Sequence, residues 1–169
     1  MSELCECGTI KPTPIVEKLT KDNFNDIFYN TRLILNRKHL ILYQIDYIGK
    51  MKIEDGSWVE SVSYYPDNNY DIHYTRSINS VIENFIPIVL EGYQIRLLEE
   101  KDYLYYNLVK FESFISENPK FQELDGKDKE LMEKQLAAMK LYYDFLSQRV
   151  TKMLKQKIED YDALPPTGE

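Results

Sequence analysis

The sequence predicts an α+β protein: a small antiparallel β-domain with short helices, followed by a long antiparallel helical hairpin. Three observations carry that reading. Between residues 40 and 74, β-branched and aromatic side chains run in short stretches bounded by turn-forming clusters, the mark of strands. From residue 92 to residue 158 the apolar period becomes helical. Within that stretch Met132, Leu136, Met139, Tyr143, Leu146, Val150 and Met153 recur at alternating steps of four and three, an unbroken heptad seam. The implied organisation is an N-terminal arm (1–19), an α+β domain (20–90), a helical hairpin (91–158) and a disordered acidic tail (159–169).

Residues 20–30 have the spacing of a short helix, with Thr20 as its cap and Phe24, Ile27 and Phe28 as its apolar patch. From Leu33 the period changes, and residues 40–48 read as a central strand. Gly49 and then Asp55-Gly56 punctuate a hairpin. Residues 58–65 form the next strand, and Pro66-Asp67-Asn68-Asn69 the next turn. Tyr70, Ile72 and Tyr74 then alternate with Asp71 and His73, a half-buried strand with one wet face. Ser77 or Ser80 opens a short helix, with Ser80 and Glu83 fitting a capping box, and Ile82, Phe85 and Ile86 would pack it onto the sheet. Pro87 ends it.

In the hairpin, Leu97, Leu104, Leu108, Phe111 and Ile115 share one face of the first helix. Glu117-Asn118-Pro119 stops that helix, because the residue before a proline is pushed out of the α region. Asp125 is placed to cap the second helix. Leu136 and Leu146 are both expected in the core of the seam. The second helix carries another apolar stripe, with Leu131, Ala138, Tyr142 and Phe145, so it should touch two neighbours, and a homodimer is the expected assembly.

Composition removes several functions. The net charge is −7. Residues 91–158 hold twelve acids and twelve bases, while residues 159–169 hold four acids and no base. No basic stripe of the kind that sequence-specific nucleic-acid binding needs is present. No stretch is apolar enough to span a membrane, and residues 1–19 lack a signal-peptide core, so a cytoplasmic protein is expected. Cys5 and Cys7 could be half of a zinc site, but His39 and His73 are the other soft ligands and stand at no metal-site spacing. No phosphate-cradling glycine loop, cofactor motif or nucleophile elbow occurs, so no cofactor and no enzyme activity are expected. His73 beside Asp71 has the look of an oriented base, but nothing in the sequence places a nucleophile near it.

The fourteen tyrosines point elsewhere. Tyrosine joins an apolar ring to a polar tip, which suits half-buried positions and interfaces. Tyr103, Tyr105 and Tyr106 cannot all enter one seam, so at least one should be exposed or meet another chain. Tyr65 and Tyr70, around the turn in the β-domain, form a second candidate patch. Arg96 with Tyr93, and Arg149 with Tyr142, pair a cation with an aromatic ring, as a nucleotide-binding face would.

Phe114-Ile115, Phe121-Gln122-Glu123-Leu124 and the run from Leu131 to Met139, followed by Tyr142, Leu146 and Arg149-Val150, resemble uncharacterised helical-hairpin proteins of phages and prophages, including crAss-like phages. The second helix shares with them a Gln-Leu-x-x-Met, a hydrophobic-Tyr step and a Leu-x-x-Arg. The resemblance covers the hairpin, and the β-domain ahead of it departs from the short members of that family. It implies a phage accessory protein that binds stoichiometrically. The first expectation is an inhibitor of a host defence effector, such as a CRISPR nuclease. The alternatives are an oligomeric sponge for a nucleotide immune signal, and a virion or assembly component.

Overall fold

The computed structural model describes residues 14–165. The chain divides into two compact units, one of Met1–Val89 with Leu154–Glu169, the other Leu90–Met153. In the first, five strands make one antiparallel sheet in the order β4-β3-β2-β1-β5. These are β1 (Leu33–Asn36), β2 (Leu42–Lys52), β3 (Trp58–Pro66), β4 (Tyr74–Ser77) and β5 (Phe85–Pro87). Helix α1 (Phe24–Asn30) precedes them, and α2 (Ile78–Asn84) joins β4 to β5. The α+β class is as the sequence predicts, and β2 is the central strand.

Several element boundaries differ from expectation, each for a local reason. The chain reverses between β1 and β2 where one strand was expected to begin. Asn36 makes that turn: its Oδ1 accepts the amides of Lys38 (3.1 Å) and His39 (2.9 Å), and Leu40 takes a φ of 55°. Gly49 lies inside β2, with the Tyr47 ring on its bare Cα; a Cβ there would fall 2.2 Å from that ring. The expected Asp55-Gly56 turn is present, with Gly56 at φ 86°.

The strand expected over 70–74 starts only at Tyr74. Asn69 turns the chain first, accepting the Asp71 amide at 3.0 Å, which leaves Tyr70 68% and Ile72 43% exposed. Ser77, not Ser80, caps α2, its hydroxyl accepting the Ser80 amide. Phe85 and Ile86 leave that helix and pair with Asn36 and Leu35 of β1. At α1, Thr20 is not the cap. Its amide donates to Asn23 Oδ1 (2.7 Å) and its hydroxyl accepts the Asn23 amide, so the helix begins at Phe24.

Phe24, Ile34, Leu35, Val62 and Val81 are fully buried in this unit. Tyr64 is the hub of its aromatic packing, with Tyr43 at 5.3 Å, Phe85 at 5.3 Å and Tyr74 at 5.7 Å between ring centroids. Edge-on and offset geometries of this kind add to plain area burial.

The second unit holds α3 (Gly92–Glu117), the short α4 (Pro119–Glu123) and most of α5 (Gly126–Asp162). Glu91 opens α3 by donating its amide to the Gln94 side chain at 2.9 Å. Asn118 ends α3 in an extended conformation and caps α4 by accepting the Lys120 amide, with Pro119 at the first helical position. Asp125 caps α5, accepting the Asp128 amide at 2.8 Å. The two long helices run antiparallel: Glu112 meets Lys140 at 2.6 Å, and Tyr105 meets Tyr143 at 5.4 Å between ring centroids. Every seam residue on α5 is shielded, but unevenly. Met132, Leu136, Met139 and Tyr143 are half-buried, whereas Leu146 and Val150 are buried.

α5 runs to Asp162, past residue 158 where the sequence reading ended it, so residues 159–162 are not a disordered tail. The reason is Tyr161. It is buried, its hydroxyl accepts the Leu19 amide at 2.6 Å, and the Arg37 guanidinium lies 5.4 Å from its ring centroid. Arg37 also pairs with Asp162 at 2.8 Å. Four acids and no base over residues 159–169 gave the look of an unstructured tail, and at residues 159–162 one tyrosine outweighs that signal. Tyr161→Phe leaves the Leu19 amide without its acceptor and is expected to cost ~1–3 kcal/mol, measurable by chemical denaturation. A loss within ±0.3 kcal/mol would show that water replaces the hydroxyl. Cys5 and Cys7 lie outside the described residues. Among those described, no group of three or more His, Cys, Asp or Glu is placed to hold a metal ion.

Candidate functional site on the hairpin

Helical spacing fixes which exposed side chains of the hairpin share a stripe. On α3, Arg96, Glu100 and Tyr103 stand at i, i+4 and i+7 and lie on one face. On α5, Tyr142, Phe145 and Arg149 stand at i, i+3 and i+7, and Ala138 and Leu131 extend the stripe. The two stripes meet where the Tyr142 hydroxyl donates to the Glu100 carboxylate. That hydrogen bond raises the Tyr142 pKa above the ordinary tyrosine value, and the nearby charge of Arg149 partly offsets the rise. The phenol is therefore neutral at physiological pH, and its single proton is directed at Glu100.

The resulting face is open. Tyr103 is 71%, Phe145 53% and Tyr142 46% exposed, and both arginines are exposed. It offers aromatic rings for stacking, two guanidinium groups for anionic oxygens and one carboxylate for hydroxyl or amino donors.

Of the residues predicted for binding, the structure puts Arg96, Tyr103, Tyr142 and Arg149 on this face. It sends the other two helical tyrosines elsewhere. Tyr105 stacks on Tyr143 across the hairpin, with the planes 33° apart. Tyr106 is occupied by Lys110, whose ammonium bonds its hydroxyl and lies 3.9 Å from its ring centroid. Tyr65 and Tyr70 belong to the sheet unit, where their rings lie 5.0 Å apart. His73 does not pair with Asp71 as the sequence allowed; its Nδ1 faces Asp46 at 3.7 Å. Glu100 and Phe145 are the members that sequence reasoning did not select as site residues. Glu100 looked like part of a solvated charged face, although its spacing to Arg96 and Tyr103 placed it on their stripe. No helix among the described residues is long and apolar enough to cross a membrane.

Comparison with curated proteins finds no match, and comparison with solved structures finds none either. Residues 91–152 match the family model described as Sequestin, so the segment similar to that family is the hairpin, from the cap of α3 to just past Arg149.

Proposed function

We propose that the protein sequesters a small anionic ligand of the nucleotide class, binding it stoichiometrically on the hairpin and releasing it unchanged. The observation that carries this reading is a coincidence of positions. The segment matching a family named for sequestration is the segment on which Arg96, Glu100, Tyr103, Tyr142 and Arg149 share a face. Guanidinium groups suit phosphate oxygens, tyrosine rings suit a base, and the carboxylate suits a sugar hydroxyl or an exocyclic amine. The phage origin implied by the hairpin's sequence resemblance would make the ligand a host immune signal, and the cytoplasm its place of action.

Self-association belongs to the same proposal. Leu131, Phe145 and Tyr142 remain exposed along α5, at 56%, 53% and 46%. A second hairpin laid on that stripe would cover them and close the ligand face, giving a homodimer. Inhibition of a protein effector is the second reading, favoured by the same exposed apolar side chains.

The test is equilibrium dialysis of the full chain against a panel of linear and cyclic mono- and dinucleotides, with mass spectrometry of the ligand recovered after heat denaturation. Retention of an unaltered nucleotide near one equivalent per site is expected. Arg149→Ala should weaken retention at least roughly tenfold, the loss of a charge-assisted contact of ~1.5–3 kcal/mol. A chemically altered ligand would identify an enzyme instead. Retention of no nucleotide, with a host protein bound one to one, would select the effector reading.

A further inference from the structure

The sheet unit carries an exposed aromatic surface that the hairpin reading does not use. Tyr65, on β3, is its centre. The Tyr70 ring lies 5.0 Å away at 45°, and the His73 ring 5.2 Å away at 54°. Tyr70 and His73 come from the turn that Asn69 initiates, and both are exposed. The β-bulge of β2 falls between Ile45 and Tyr47, so Asp46 is the extra residue and its carboxylate swings to this edge, 53% exposed.

Two details define the charge of this surface. His73 Nε2 lies 3.1 Å from the Tyr70 carbonyl oxygen, which can only accept, so that nitrogen carries the proton. When the ring is neutral, Nδ1 has no proton to offer Asp46, which it faces at 3.7 Å, and among the described residues no other side chain donates to that carboxylate. Arg32 approaches Asp46 too, but at the main-chain carbonyl (3.3 Å), not at the carboxylate. Asp67, held by Gln44 at 2.7 Å, and Asp71 add carboxylates from the same turn. A phosphate or other anion would be repelled here.

We propose that this surface docks an arginine side chain of a basic protein segment. The guanidinium plane lies on the Tyr65 and Tyr70 rings, and its N–H groups reach the Asp46 carboxylate. Aromatic faces and a carboxylate that still needs donors are the two things a guanidinium uses together, and an ammonium uses only in part. The inference is independent of the hairpin ligand.

The test is two-dimensional amide NMR of the full chain, titrated with a short peptide containing two arginines in a glycine background. Matched peptides carry citrulline or lysine at those positions. Shifts concentrated at Tyr65, Tyr70, His73 and Asp46 are expected with the arginine peptide, and affinity should fall at least tenfold with citrulline. Tyr70→Ala and Asp46→Asn should each weaken binding by tenfold or more. Tyr29→Ala, at a side chain that is 91% exposed, should leave it unchanged. Equal binding of the citrulline or lysine peptide, or shifts spread away from these four residues, would overturn the proposal. So would unchanged affinity in both Tyr70→Ala and Asp46→Asn while the spectrum of each remains that of the folded protein.

Discussion

Tyr64→Ala is expected to destabilise the sheet unit by about 3–5 kcal/mol, the range for truncating a buried aromatic side chain. Tyr64 is 2% exposed and touches the rings of Tyr43, Tyr74 and Phe85, which come from β2, β4 and β5. Its removal opens a cavity shared by three strands, and none can close it without moving the others. Chemical denaturation followed by amide exchange in β2 and β3 reads the effect directly. A loss below about 1 kcal/mol would mean that the neighbouring rings collapse into the space. Tyr64→Phe separates the ring from the hydroxyl. Burial raises the pKa of Tyr64, and likewise those of Tyr43 and Tyr161. A raised folded-state value means that the neutral phenol is favoured by folding. That contribution is complete below the ordinary tyrosine pKa of about 10 and is lost as pH rises beyond it. Stability should therefore be flat in these groups at neutral pH and decline in alkali, and Tyr64→Phe should flatten part of the decline. An identical alkaline slope in the variant would remove Tyr64 from that account.

Leu146→Ala is expected to cost about 2–5 kcal/mol, because Leu146 is fully buried at the centre of the α5 seam. The sequence ranks Leu136 equally, and the structure does not. Leu136 is half-buried, nearer the turn of the hairpin, so Leu136→Ala should cost clearly less, under about 2 kcal/mol. Thermal and chemical unfolding of the two variants side by side checks the ordering. Equal losses would place Leu136 in a covered interface, as a second copy of the chain would provide.

The hairpin was legible because its information is local. A heptad repeat, a proline stop at Pro119 and an aspartate cap at Asp125 each act within one or two turns, and the structure reproduces all three. The seam's face follows from period alone. How deeply each seam residue is buried does not, and Leu136 and Leu146 look alike in sequence.

The sheet was legible only in part. β2, β3 and the Asp55-Gly56 turn follow from β-branched runs and a glycine able to hold φ 86°. β1 and β5 were not separable from their surroundings, since each is short and shows no apolar–polar alternation. β1 is held between β2, across the Asn36 turn, and β5, and β5 is a strand only through its pairing with β1, between residues about fifty positions apart. A pairing of that reach has no period to read. The fate of residues 159–162 has the same cause, because Tyr161 orders them through Leu19 and Arg37, at the other end of the chain.

The candidate site divides in the same way. Sequence by itself determined which residues share a stripe: Arg96 with Tyr103 on one helix, Tyr142 with Arg149 on the other. Only the tertiary structure decided that the two stripes meet through Glu100, that Tyr105 is taken by Tyr143, and that Tyr106 is taken by Lys110. The physical reason is that a helix fixes the direction of its own side chains by its pitch, while the neighbour each one meets depends on the register of two helices across a seam.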